Sequence, residues 1–191
     1  MTACAHVRYA RRAAGITQRE LARRTGSAQP RIAEVEAERT DARASTIERL
    51  LAATGHRLVV LPSRATTAAE TAEAVREALK QRQENTAFRE VIQLSDDLAA
   101  SQPAIRLALV AAPPATTGDE RFDALIAGLV EYRLSGDALP LPEWVADPAR
   151  RATTSWFVDA TPGTEDLSRA QSPAPFSRRN VFLDATELAS V

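Results

Sequence analysis

Three glycines and two capping boxes cut the first 60 residues into helical runs that are each too short to stand alone. Gly15, Gly26 and Gly55 are the stops. Thr17-Gln-Arg-Glu20 and Ser45-Thr-Ile-Glu48 have the spacing in which a hydroxyl accepts an orphan amide and a glutamate reaches back to the cap. Isolated helices below about 12–15 residues are marginal in water, so such runs persist only by burying apolar faces on one another. The pattern predicts helices over 7–14, from Thr17 to about Thr25, from Ala28–Pro30 to about Ala37, and from Ser45 to Gly55. Proline at Pro30 suits a first helical turn. Ile16, Leu21, Ala22, Ile32, Val35, Ile47 and Leu50 are the candidate core, with Ala22 small where two helices cross. Arg57-Leu-Val-Val-Leu61 is β-branched and apolar and reads as a strand closed by Pro62.

Pro62–Thr66 is the expected boundary between two domains, residues 1–64 and 65–191. Beyond it, Thr67-Ala-Ala-Glu70 caps a helix to about Gln83, and further helices are predicted over 86–100, 103–112 and 119–134. After Gly136 proline becomes frequent and apolar runs shorten (Trp144-Val145, Trp156-Phe-Val158, Val181-Phe-Leu183). Asp184-Ala-Thr-Glu187 opens one final turn. The expected fold is therefore mainly α, a small helical domain followed by a mostly helical one with a few short strands.

The net charge of −1 hides an asymmetry. Residues 1–64 carry 12 arginines against six acidic residues, a net +6, while residues 65–191 carry a net −7. A basic half next to an acidic half points to two different partners, the first a polyanion. Cys4, His6 and His56 are the only Cys and His in the chain, which leaves no disulfide framework and no four-cysteine zinc site, so a metal centre would have to be built almost wholly from carboxylates. No metal or other cofactor is expected. No apolar run approaches the roughly 18 residues of a membrane span, and Met1–Gly15 does not read as a signal peptide. A soluble cytoplasmic protein is the expectation.

The segment Gly15-Ile-Thr-Gln-Arg-Glu-Leu-Ala-Arg-Arg-Thr-Gly26, with Ala28-Gln-Pro-Arg-Ile-Ala-Glu-Val-Glu36 and Thr46-Ile-Glu-Arg-Leu-Leu-Ala-Ala-Thr-Gly55, resembles the Xre class of lambda-repressor-like helix-turn-helix domains. That resemblance covers about residues 5–62. It implies a transcriptional regulator whose third helix lies in the major groove of double-stranded DNA. By family position Gln29, Pro30, Arg31 and Glu34 face the bases. Glutamine matches adenine at two points, arginine matches guanine or phosphate, and glutamate accepts from cytosine. Gln18, at the start of the second helix, fits a phosphate contact. Arg39 and Arg43 lie where the loop after the third helix can reach the backbone or minor groove. Arg11 and Glu36 fall where the family pairs an arginine with a glutamate across the first and third helices. Ala28 departs from the Ser or Thr common in relatives at the start of helix three, which removes a cap worth about 1 kcal/mol.

Residues 65–191 offer no constellation for catalysis, neither histidine nor cysteine nor a glycine-rich phosphate loop, so no catalytic residue is assigned. Trp144 and Trp156 read as core. Leu141–Pro148, Trp156–Asp159 and Ser172–Ala185 look like the C-terminal region of actinobacterial-type Xre regulators, many of which are antitoxins that repress their own operon. The resemblance implies a toxin partner encoded alongside, for which Phe176, Arg178 and Arg179 in the segment 171–191 are the candidate contacts. A homodimer on a palindromic operator is expected, held mostly through residues 65–191, whose helices have wide apolar faces. The alternatives are a stand-alone regulator whose second domain dimerises or binds a small effector, and an enzyme or RNA-processing factor that uses the helix-turn-helix for targeting.

Overall fold

A computed structural model describes residues 3–60, 62–158 and 163–188. The chain divides into two compact units, Met1–Pro62 and Ser63–Val191.

The first unit is four short helices: α1 (Ala3–Ala13), α2 (Gln18–Thr25), α3 (Gln29–Glu36) and α4 (Ala44–Ala52). Their core is Val7, Ala10, Leu21, Ala22, Ile32, Val35, Ile47, Leu50 and Leu51, with Ile16 packed at its edge. Gly26 ends α2 in the left-handed region at φ 62°, where its amide and that of Ser27 take up the last carbonyls of the helix. Only one half of the first capping box forms. The Thr17 hydroxyl accepts from the Glu20 amide at 3.1 Å, but the Glu20 carboxylate turns away to Arg23 and Arg24. The hydrogen bonds from these two arginines hold Glu20 down at about 2.

Two expectations for this unit fail. The Ser45 box does not form, because α4 starts earlier: the Arg43 carbonyl accepts from the Thr46 and Ile47 amides, so Ser45 already lies inside the first turn. The strand expected over 57–61 is also missing from its described part, Arg57–Val60; Leu61 lies outside the described residues. A strand needs a neighbour for its backbone groups, and every other described element of this unit is helical.

The second unit is built around α8 (Glu120–Ser135), which is buried on nearly every side. Helices α5 (Ala68–Lys80) and α6 (Glu84–Ala100) form a hairpin against it, and α7 (Pro103–Val110) follows. Here the capping box is complete: Thr67 accepts from the Glu70 amide, and Glu70 accepts from the Thr67 amide at 2.9 Å. Two short 3-10 turns (Glu143–Ala146, Pro148–Arg150), α9 (Glu165–Gln171), α10 (Ala174–Ser177) and a last 3-10 turn (Ala185–Leu188) complete the wrap. Strands β1 (Trp156–Phe157) and β2 (Val181–Phe182) pair in parallel, Trp156 opposite Val181 and Phe157 opposite Phe182. The Phe157 and Phe182 rings stack at 5.0 Å, with the Arg169 guanidinium over both.

This wrap corrects the reading of the tail. Phe176 and Arg179 do not project to a partner. Phe176 is fully buried on α8, and Arg179 is buried with its guanidinium on Glu131 at 2.6 Å and on the Pro175 and Val145 carbonyls. Arg178 also pairs with Glu131, and of the three it alone keeps an exposed side chain, at 60%. Val181–Leu183 is buried rather than free to dock, because Trp156–Phe157 already serves as its partner strand. Trp144 is core, its indole donating to the Val110 carbonyl at 2.8 Å, and Trp156 packs half-buried against Phe122. The apolar faces of α5, α6 and α8 are thus covered within their own unit, by Trp144, Val145, Phe176, Val181 and Leu183 among others.

Gly128 sets how closely the tail can approach. A Cβ there would lie 2.7 Å from Cδ1 of Phe176 and 3.2 Å from the Pro175 carbonyl oxygen. Gly128→Ala should therefore destabilise the second unit by roughly 1–3 kcal/mol through overpacking, despite the better helix propensity of alanine. Urea denaturation followed by tryptophan fluorescence measures this directly, since both tryptophans lie in the second unit. A midpoint equal to or above that of the unsubstituted protein would refute the packing argument.

Candidate nucleic-acid interface

Helix α3 exposes one face and buries the other. Ile32, Val35 and Glu36 point inward, whereas Gln29, Pro30, Arg31 and Glu34 are exposed. The inward glutamate is the unusual member. Its side chain is 2% exposed and meets Arg11 of α1, itself 12% exposed, in a two-pronged pair: Arg11 Nε to Oε1 at 2.6 Å and Nη2 to Oε2 at 2.9 Å. Arg11 Nη1 also donates to the Ile16 carbonyl in the turn before α2, so one guanidinium ties together α1, that turn and α3.

The pair continues outward as a chain of hydrogen bonds. Gln18 Nε2 donates to Glu36 Oε2 at 3.0 Å, and Gln29 Nε2 donates to Gln18 Oε1 at 3.0 Å. Donor chemistry fixes the direction. A guanidinium can only donate and a carboxylate only accept, so Gln18 must turn its NH₂ to Glu36 and its oxygen to Gln29. Gln29 is then held by one N–H, leaving its Oε1 and second N–H free at the exposed surface. One acceptor beside one donor is the pattern that complements the major-groove edge of adenine.

Burial opposes the charge on Glu36, but hydrogen bonds from Arg11 and Gln18 and the Arg11 charge outweigh it, holding its carboxyl below the usual range. The hydrogen bond to Glu36 raises Arg11 in turn, against the opposing effect of burial.

The remaining candidates lie around this chain. Arg31 Nη1 leans toward Glu34 Oε2 at 3.4 Å and toward the Thr40 hydroxyl at 3.3 Å, a loose tether on an exposed side chain. Arg39 and Arg43 are exposed in the segment between α3 and α4. Ala28 is the N-cap of α3 and offers no side-chain acceptor, so the first amides of that helix carry no cap. Sequence reasoning missed the link between Gln18 and Gln29. Read alone, Gln18 fits an independent phosphate contact, whereas the fold makes it the relay between the buried pair and the exposed face of α3. Thr40 was also missed, as no motif marks it.

A helix-turn-helix family model matches residues 7–59. The first unit is a helix-turn-helix domain of the Xre, lambda-repressor-like kind. The match covers α2 and α3, which are the two helices of the motif, and also α4 and most of α1. No match was found among curated proteins or among solved structures. Among the described residues no helix is long and apolar enough to cross a membrane.

Glu36→Gln should cost the helix-turn-helix domain roughly 3–5 kcal/mol, because Arg11 would keep a buried charge without its counter-ion. Amide exchange at Leu21 and Val35 in the full chain reads this domain separately from the second unit. Because folding lowers the Glu36 pKa, the pair stabilises fully above the unfolded value, near 4.5, and that stability is lost as pH falls from there through the folded value. Exchange protection in the unsubstituted domain should therefore decline below that point, and the decline should be shallower in Glu36→Gln.

Proposed function

We propose that this protein is a sequence-specific DNA-binding transcriptional repressor, and that it is the antitoxin of a toxin encoded beside it. The observation that carries the DNA-binding reading is the polar chain Arg11–Glu36–Gln18–Gln29, which presents an oriented amide on the exposed face of α3. The net +6 of residues 1–64 supplies the attraction to phosphate that such a domain needs. In this reading Gln29 addresses adenine, Arg31 swings from Glu34 and Thr40 to guanine or phosphate, and Arg39 and Arg43 take the backbone. The operator is palindromic and is read by two copies whose half-sites lie about 34 Å apart. The antitoxin role rests on the resemblance of Leu141–Pro148 and Ser172–Ala185 to the C-terminal region of Xre regulators with that role. With Phe176 and Arg179 in the core, contacts to a toxin fall to exposed positions of the second unit, Arg178 among them.

Arg31→Ala should weaken binding to the DNA upstream of the protein's own gene by roughly 1–3 kcal/mol and relax preference at one base position. Affinity of the unsubstituted protein should fall steeply as salt rises. Titrations by fluorescence anisotropy at several salt concentrations check both, and a flat salt response would refute the DNA-binding reading. The antitoxin role is tested by expressing the neighbouring gene with and without this protein. Growth arrest relieved by co-expression supports it; a harmless neighbour leaves a stand-alone repressor.

A further inference from the structure

The extended segment that follows α4 is unmatched within its own unit. Leu58, Val59 and Val60 are 47%, 67% and 91% exposed, and they are the only large apolar side chains classed as exposed among the described residues of the first unit. Among the described residues no hydrogen bond reaches the backbone of Arg57, Leu58, Val59 or Val60. Three consecutive apolar residues, two of them β-branched, with open amides and carbonyls form an edge that invites a further strand. The segment starts after Gly55, in the left-handed region at φ 81°, and is closed by Pro62, which has no amide to donate. Beside it lies a cavity of about 580 Å³ lined by Glu48 and Ala52 of α4 and by Gly55, His56, Arg57 and Leu58.

We propose that residues 57–60 of two copies of this chain pair as antiparallel strands about a two-fold axis at Val59, joining two helix-turn-helix domains. The proposal rests on the DNA-binding reading in one respect only: a single such domain reads one half-site, so the palindromic site is incomplete without the second copy. Symmetry restricts the register. Facing pairs in an antiparallel ladder alternate between hydrogen-bonded and non-bonded kinds, so a two-fold ladder must place one residue opposite its own copy. An axis at Leu58 would set Val60 against His56 at the end of the α4 turn. An axis at Val60 would set Leu58 against Pro62 and lose a ladder donor. An axis at Val59 sets Val59 on Val59 and Leu58 on Val60, and keeps Arg57 away from the arginine of the other copy. Side chains alternate faces, so Val60 of the second copy joins Leu58 on the side of the α4 cavity, and the most exposed large apolar side chain among the described residues gains a place to be buried.

The test uses the full chain; Leu58, Val59 and Val60 are exposed and outside the helical core, and Cys4, which packs at the edge of that core, is changed only to alanine and serves as its own reference background. Sedimentation should show a dimer for the unsubstituted protein. Leu58→Glu with Val60→Glu places like charges directly opposite each other and should give a monomer; Leu58→Lys with Val60→Glu places opposite charges there and should bind its copy about tenfold or more tightly than the double glutamate variant. In a Cys4→Ala background, Val59→Cys should cross-link to itself on mild oxidation, because facing Cβ atoms lie about 4.5–5.5 Å apart. Leu58→Cys or Val60→Cys should not, since their copies sit on the diagonal, about 7–8 Å away. A monomer at micromolar concentration, or a dimer indifferent to both charge pairs, would overturn the proposal. Failure of the DNA-binding reading looks different: the dimer and the cross-link of the Val59→Cys variant persist while no operator is bound.

Discussion

The carboxylate of Glu36 is the point on which the helix-turn-helix domain depends. A charge buried to this degree is tolerated only when it is paired and hydrogen-bonded, and Arg11 and Gln18 between them provide three hydrogen bonds. Because Arg11 stands on α1, Gln18 on α2 and Glu36 on α3, satisfying one carboxylate fixes three helices relative to one another. The apolar core cannot do this alone. Nine buried residues, two of them alanine, bring the helices together but specify no angle between them as sharply as a two-pronged guanidinium does. The same interaction reaches the surface, since the relay from Glu36 ends on the exposed amide of Gln29.

The second unit solves the burial problem differently. Its central helix is hidden on almost all sides, and the charged residues it carries inward are each matched by the irregular chain around it. Asp123 accepts from the Thr116 hydroxyl and the Thr117 amide, and Arg150 lies within 3.4 Å of it. Glu131 takes Arg178 and Arg179 together. Gly128 opens the groove into which Phe176 settles. Hence the irregular chain after α8 is anchored on that helix by the Arg150 pair with Asp123 and the Arg178 and Arg179 pairs with Glu131 rather than by a long ladder. That tail covers the apolar faces which, in the bare sequence, look like surplus surface for an oligomer.

Much of this was legible in the sequence, because local chemistry decides it. The stops at Gly15 and Gly26, the caps at Thr17 and Thr67 and the apolar spacing locate α2 and α3 and the starts of α4 and α5 to within a residue or two, whereas α1 begins four residues before the expected Val7 and α4 and α5 end three residues before the expected Gly55 and Gln83. The pairing of Arg11 with Glu36 followed from a family resemblance that the geometry bears out at 2.6 Å. Where the sequence misled, the missing information was non-local. Arg57–Val60 has every property of a strand except a neighbour, and pairing requires one. Phe176 and Arg179 stand among prolines and polar residues and look unable to bury themselves, yet α8, far off in sequence, holds the Gly128 gap and the Glu131 charge that receive them.

The sequence by itself determined where most helices begin and end and which faces are apolar, because backbone propensity, capping and periodicity act within a few residues. It also fixed how charge divides between residues 1–64 and 65–191, and its resemblance to a known family implied a helix-turn-helix in the first unit. Only the tertiary structure decided that Gln18 is a relay, that the tail is core, and that Leu58–Val60 is left without a partner in its own unit. Each of those outcomes turns on whether a particular donor, cavity or strand edge from another part of the chain arrives at the right distance, and burial is a property of that arrival rather than of the residue.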